Sequence, residues 1–443
     1  MAALYRFPPM VEEDCPNGLH LMWVPDHELP AMTIGIQFPR GKLLDPHGFE
    51  GVTELAVELL QKGTAQRPPE QFSELLESRG CSLFADTAEE HILIGCRFLS
   101  SYAFEAIPLF WEMIVSPGLD LRELKRVKKE MLTSLDAEMS EPAGLASKHF
   151  HAQLFGSDHP AGRSPSRKSV RALSIETVRT LLERIVHPQG ATVVVAGDFD
   201  LDKARTAWHS LFAAWDPGRT PYVSAPLQAA PRSTGIAMRL VNKGDLTQAS
   251  LVVGHVVPGE QCEYRHEIGL ANYILGGGNF SSRLMGEVRS RLGKTYGISS
   301  QLGRLRTFGD LMIATSTMNE QVGDMLEIIL RVYRQFVQDG VTDDEVAKAR
   351  SFATGSLAFQ LEGIGHVVEK LLWLRLYDRD KSYIERYPQT IAGIQTQAVN
   401  HAIREYFTTD ALAVTVVGNR RLIEPQVKGL GAVEYVDYRA AMP

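Results

Sequence analysis

Residues 51–64, GVTELAVELLQKGT, set Val52, Leu55, Ala56 and Leu59 at helical spacing and end on a Gly-Thr turn. That pattern predicts an amphipathic helix. Glu50, Glu54 and Glu58 run along the neighbouring face. Like charges four residues apart cost an isolated helix about 0.2–0.5 kcal/mol per pair, so the row is either a solvated face or the lining of a site. Short apolar runs predict strands at MTIGIQFPRG (32–41), TVVVAGDFD (192–200), ASLVVGHVVPG (249–259) and LAVTVVGNRR (412–421), with further strands in TAEEHILIGCRFLS and RTFGDLMIATSTM. DLRELKRVKKEMLTSLDAEM and TDDEVAKARSFATGSLAFQ predict long helices, the second opening on Thr342-x-x-Glu345, a capping box.

These elements repeat. The strand at 192–200 resembles the one at 412–421, about 220 residues later, and 32–41 resembles 249–259 at a similar offset. Each early strand leads through a loop into a helix, then a second helix and a Gly turn. Between the copies, DPGRTPYVSAPLQAAPRSTG (216–235) has four prolines and little periodicity, the pattern of a linker. Two copies at so long a period mean tandem domains rather than a solenoid. The boundaries predicted are 1–216 and 236–443, joined by 217–235. Strand pairs and helix groups alternate without a βαβ rhythm, which favours an α+β fold: in each domain a mostly antiparallel sheet with helices packed on one face.

Composition narrows the function classes. The 443 residues are 44% hydrophobic and 22% charged with a net charge of −7, an ordinary globular balance with no basic footprint for nucleic acid. Cys15, Cys81, Cys96 and Cys262 show no C-x-x-C spacing, which reads as reduced thiols rather than a disulfide framework or zinc site. The opening MAALYRFPPMVEED lacks the basic-then-apolar order of a signal peptide, and no apolar run approaches ~18 residues. The expectation is a cytoplasmic protein without a membrane partner.

Four stretches, in order, resemble one known family over nearly the whole chain: FPRGKLLDPHGFEGVTELAVELLQKGT, LFGSDHPAGRS (154–164), HPQGATVVVAGDFD, and LGGGNFSSRLMGEVRSRLGKTYGISS (275–300). They are similar to the inverted-zinc-motif metallopeptidases: pitrilysin, insulin-degrading enzyme and the mitochondrial processing peptidase. In that family a helix carries H-x-x-E-H. Two histidines bind zinc, the Glu activates water, and a later Glu completes the site. Aligned on the KGT landmark, this chain reads ELAVE, so Glu54 and Glu58 stand at the histidine positions and Val57 at the general base. The later ligand falls near Leu135, with Asp136 and Glu138 close by. The resemblance therefore implies no metal in this chain. A residual site of Glu54, Glu58 and His91 is the minor alternative, and two carboxylates do not reproduce a His₂Glu zinc site.

The second copy keeps the family's signature. Arg289 ends a helix, Gly293 stops it, and Tyr296 begins the next strand. In the family this Arg and Tyr reach the metal site of the catalytic domain and hold the substrate backbone and the oxyanion. Arg stays charged at any working pH, and Tyr offers a neutral donor. The Gly276–Gly278 run is not followed by the Lys-Ser/Thr of a phosphate loop. Some family members divide the labour between a zinc-bearing subunit and one that keeps only the Arg/Tyr pair, the two closing like a clam around a peptide-sized chamber. The resemblance implies that this chain is the second kind. It would bind peptide and supply Arg289 and Tyr296 in trans, with zinc held by a paralogous partner bearing an intact H-x-x-E-H. The alternative is a purely structural relative, like the core subunits of the respiratory bc-type complex. A peptidase acting alone is disfavoured by the absence of a base at Val57.

Overall fold

The computed structural model describes residues 5–218, 227, 235–292 and 297–439, with only the backbone of 289–292. Among them are two six-stranded sheets. The first contains β1 (Val11–Asp14), β2 (His20–Pro25), β3 (Ala31–Phe38), β4 (Ser82–Thr87), β5 (Ile92–Leu99) and β6 (Thr192–Gly197) in the order β1-β2-β6-β3-β5-β4. The second contains β7 (Gly235–Asn242), β8 (Gln248–Pro258), β9 (Ile298–Arg304), β10 (Phe308–Met318), β11 (Ala411–Gly418) and β12 (Ala432–Asp437) in the order β12-β7-β11-β8-β10-β9. From the second position onward the two orders match strand for strand, so the paired sequences at 32–41 and 249–259, and at 192–200 and 412–421, occupy equivalent places. Antiparallel ladders predominate. The parallel ones are β2 on β6, β7 on β11 and β12 on β7.

The helices used below are α1 (Val52–Leu60), α2 (Ala103–Val115), α3 (Leu121–Glu138), α4 (Pro142–Phe155), α5 (Ile175–Ile185), α6 (Arg283–Leu292), α7 (Val322–Asp339), α8 (Asp343–Ser356) and α9 (Ile364–Leu376). In the first unit, α1, α2 and α5 pack with alternate residues of the strands: Met32, Ile34, Ile36 and Phe38 of β3, and Val193 and Val195 of β6. In the second, α6 and α7 pack likewise against Leu240, Leu251, Val253, Val414 and Val416. This is the α+β arrangement expected, with an addition. The central strands are apolar at successive positions, and every residue of β6 is buried, so the opposite face of each sheet needs cover as well. A single helix supplies it.

On the first sheet that helix is α9, lying on β3 and β6. It comes so near that a Cβ at Gly35 would stand 3.2 Å from Val368 Cγ1 and 3.4 Å from Leu372 Cδ1. On the second sheet it is α4, where Leu145, Ala146 and Phe150 pack on Val241, Val252, Ala413 and Val417. Polar ties fix its register: Gln153 Nε2 donates to the Ala237 carbonyl at 2.8 Å and Gln153 Oε1 accepts from Thr415 Oγ1 at 2.9 Å. Each covering helix thus comes from the other half of the sequence. One compact unit comprises Met1–Thr133, Pro165–Ala225 and Leu357–Arg386; the other comprises Ser134–Ser164, Pro226–Ser356 and Tyr387–Pro443. The units differ from the continuous stretches 1–216 and 236–443 because linker composition is local, whereas covering a two-faced apolar sheet is not.

The start of α1 is built around Asp45. Gly51, at φ +94°, makes the left-handed entry to the helix, a conformation that only glycine adopts at little cost. The Asp45 carboxylate accepts from Gly51 N at 2.7 Å, from Thr53 N at 3.2 Å and from the Thr53 hydroxyl. Burial pushes the Asp45 carboxyl up to about 6, against the lowering pull of those three donors.

A chain ending at residue 216 lacks α9 and leaves one face of the first sheet bare. It should show no cooperative urea transition, and attaching residues 357–386 should restore one. Asp45 is protonated more readily folded than unfolded, so its contribution to stability is complete below pH ~4 and lost as pH rises through about 6. The difference in unfolding free energy between wild type and Asp45→Asn should therefore shift in favour of the variant between pH 4 and 7, by up to about 2–3 kcal/mol, as urea titrations at each pH would measure.

Candidate functional site

α1 is buried nearly all round: Val52, Thr53, Leu55, Ala56, Val57, Leu59 and Leu60 are inside. Val57, at the general-base position, is 2% exposed and belongs to the core of the first unit. The glutamates form the exposed strip, and each has a partner. Glu50 Oε1 accepts from Gly48 N at 2.9 Å. Glu54 Oε1 lies 3.8 Å from Lys42 Nζ, which also lies 3.4 Å from Glu89 Oε1. Glu58 Oε2 lies 3.6 Å from Lys62 Nζ, one helical turn on. Burial pulls the Lys42 ammonium down, but Glu89 and Glu54 outweigh it and its pKa ends above the usual lysine value. Half-exposed pairs of this kind add only about 0–1 kcal/mol each. Their effect here is to relieve the repulsion along the row: the positive charge beside Glu54 is the chain's own ammonium.

His91 stands in the bend before β5, with Nε2 3.7 Å from Asp86 Oδ2. Burial lowers its pKa, Asp86 opposing, so the ring is neutral near pH 7. Among the described residues, no group of three or more His, Cys, Asp and Glu side chains is placed to hold a metal. The other positions fit zinc no better. Leu135 offers no donor atom, and the Glu138 carboxylate is paired with Lys148 of α4 within the second unit. Two lysine-paired carboxylates, a buried valine and a leucine are not the donor set of a peptidase zinc.

In the second unit α6 carries Arg289, whose side chain lies outside the described residues, as does the whole of Tyr296. What is described is how α6 is held. Arg283 makes a two-pronged pair with Glu345 of α8, Nε to Oε1 at 2.7 Å and Nη2 to Oε2 at 2.8 Å, and Nη2 also donates to the Gly340 carbonyl at 2.8 Å. Burial would raise the Glu345 carboxyl, but Arg283 and Thr342 overcome it and hold it down at about 2. Thr342 and Glu345 close the expected capping box, Thr342 N to Glu345 Oε2 at 2.8 Å and Glu345 N to Thr342 Oγ1 at 3.4 Å. A second pair, Arg331 Nη2 to Glu287 Oε2 at 2.8 Å, ties α6 to α7. Leu284, Met285 and Val288 fill the buried face.

Sequence reasoning missed Asp45, Lys42 and the Arg283–Glu345 pair. The capping-box glutamate was a visible signal for the last. Nothing local marked Lys42, whose partners lie 12 and 47 residues further along the chain.

The family model described as insulinase (peptidase family M16) matches residues 23–164, and that of the peptidase M16 inactive domain matches residues 172–352. Non-peptidase homolog YmxG of Helicobacter pylori is 23% identical over 407 residues, 89% of this chain and 91% of that protein. An uncharacterised zinc protease of Mycobacterium leprae is 25% identical over 391 residues, 87% and 86% of the two chains. Among solved structures, a peptidase M16 inactive domain from Pseudomonas fluorescens superposes with a TM-score of 0.85 at 22% identity, covering 97% of this chain and 100% of that one. The first half of the periplasmic protease PqqL from Escherichia coli gives 0.74 at 14% identity, covering 96% and 95%. No described helix is long and apolar enough to cross a membrane. H-x-x-E-H occurs nowhere in the 443 residues. With both halves matched in order and ELAVE in place of the metal motif, the chain belongs to peptidase family M16, as a member without the zinc motif.

Proposed function

We propose that this chain is the non-catalytic, substrate-binding subunit of a two-chain zinc endopeptidase. The observation that carries the reading is asymmetric loss. Val57 is sealed in the core and Lys42 neutralises Glu54, while the sequence of the second copy retains the RSRLGKTYG signature, and the helix that reaches Leu292 is anchored by two ion pairs. A paralogue with an intact H-x-x-E-H holds the zinc, peptide occupies a chamber formed by the two chains, and Arg289 and Tyr296 act in trans on the bond held at the partner's metal. A cytoplasmic setting belongs to the same proposal. A purely structural relative would have no use for the Arg/Tyr pair, and that contrast is what the experiments address.

The purified chain should hold less than one zinc per molecule by elemental analysis and cleave no unstructured peptide. Stoichiometric zinc with chelator-sensitive cleavage by this chain alone would overturn the reading. Rebuilding the motif as Glu54→His, Val57→Glu and Glu58→His should not rescue it. Position 57 is 2% exposed, so a carboxylate there lacks both water and a metal partner and should cost more than about 2 kcal/mol in urea unfolding.

With a co-purified zinc-bearing paralogue, activity should peak at equal amounts of the chains. Tyr296→Phe removes one hydroxyl. If that hydroxyl meets the oxyanion, kcat should fall by the order of 10²–10³ with zinc content and assembly unchanged. Arg289→Lys should rescue only in part, since an ammonium lacks the planar fork. Normal turnover in Tyr296→Phe and Arg289→Ala would favour the structural alternative.

A further inference from the structure

Cys81 and Cys96 are 15 residues apart in sequence and meet at the open end of the β4–β5 hairpin. Leu83 pairs directly with Cys96, and Ser82 with Arg97. Cys81, immediately before Ser82, therefore presents its side chain on the same face of the sheet as Leu83 and Cys96. Cys96 belongs to the buried core of the first unit, and Cys81 and Leu83 pack against that core. Each thiol donates to a nearby backbone carbonyl, Cys81 Sγ to that of Arg79 at 4.0 Å and Cys96 Sγ to that of Arg97 at 3.9 Å, and the two thiols lie close enough that each shifts the other's pKa. Both are free in the structure, Cys96 buried and Cys81 half-buried. One thiol is thus within reach of a reagent, and the other waits behind it.

We propose that Cys81 and Cys96 are a reversible dithiol–disulfide pair, oxidised by a low-molecular-weight disulfide of the glutathione class. The Cys81 thiolate attacks one sulfur of the reagent, forming a mixed disulfide and releasing one thiolate. Cys96 gives up its proton to solvent or to the released thiolate, and its sulfur attacks Cys81 Sγ. The second reagent thiolate leaves as the Cys81–Cys96 bond forms. Two protein thiols are oxidised and one reagent disulfide is reduced to two thiols. The roles follow from the surroundings. The neighbouring Cys96 lowers the Cys81 pKa, with burial and Glu105 opposing and the Arg79 guanidinium assisting. That favours the attacking thiolate at the accessible position. The neighbouring Cys81 and burial raise the Cys96 pKa, which suits a resolving thiol that reacts only with its neighbour.

The bond would staple the edge strand β4 to β5. At its far end the same hairpin holds the segment before α1, Lys42 N donating to the Ala88 carbonyl and Leu43 N to the Glu89 carbonyl, both at 3.0 Å. Oxidation therefore braces the strand pair that carries Glu89, a partner of Lys42.

The test uses the full chain equilibrated in buffers of oxidised and reduced glutathione. Peptide mapping of the oxidised sample should give a Cys81–Cys96 cross-linked peptide that dithiothreitol removes, with Cys15 and Cys262 still open to alkylation after unfolding. The oxidised first unit should melt roughly 5–10 °C higher, as expected for closing a loop of this length. Cys96→Ser should stop at the Cys81 mixed disulfide, and Cys81→Ser should leave Cys96 unreacted in the folded protein. Two alkylatable thiols in the wild type after equilibration with excess oxidised glutathione would overturn the proposal. So would a stable Cys81 mixed disulfide in the wild type, or a cross-link that forms only in denaturant. Mapping of the wild-type chain decides the matter even if Cys96→Ser does not fold.

Discussion

Burying both faces of the central strands is the demand from which the rest of this architecture follows. β6 reads TVVVAG with every residue inside, and β8 and β11 are nearly as apolar. A strand with alternating polarity can leave one face wet, but these cannot. The helical layers that follow the strands in sequence cover one face. The other is closed by α9 on the first sheet and by α4 on the second, each drawn from the opposite half of the chain. The first unit cannot finish its sheet until residues beyond 357 are available, and such late, long-range closure ties folding of the early strands to the arrival of the later half.

Inside that frame, α1 is a core helix. Seven of its nine residues are buried, and its entry is secured by Gly51 and by the inward Asp45 carboxylate rather than by an exposed cap. A catalytic metal helix must spare one face for ligands and water. Here the remaining face carries glutamates paired with lysines, and the position that would activate water is a valine among aliphatic neighbours. Rebuilding the motif letters alone would therefore put a carboxylate at position 57 among aliphatic neighbours.

In the second unit, ion pairs join helices to one another. Arg283–Glu345 and Arg331–Glu287 fasten α6 to two different helices, and the depressed Glu345 pKa keeps the first pair ionised down to acidic pH. These two pairs hold α6 against its neighbours. The thiol pair, α1 and the glutamate row all belong to the first unit, so any effect of oxidation begins there.

The sequence alone carried the α+β class, the internal duplication, the strands at 192–200 and 412–421, the helix at 52–60 and the Thr342–Glu345 capping box. Each is written in local periodicity or in residues three or four apart, which a chain expresses without its tertiary partners. It also carried the missing metal motif, because motif positions are fixed by spacing on one helix. The exchanged covering helices, the lysine beside Glu54, the inward Asp45 and the meeting of Cys81 with Cys96 were settled by tertiary structure. They join residues from 6 to about 340 positions apart, and a pattern read along the chain has no means of saying which distant segment will come to lie against an apolar face or a charge.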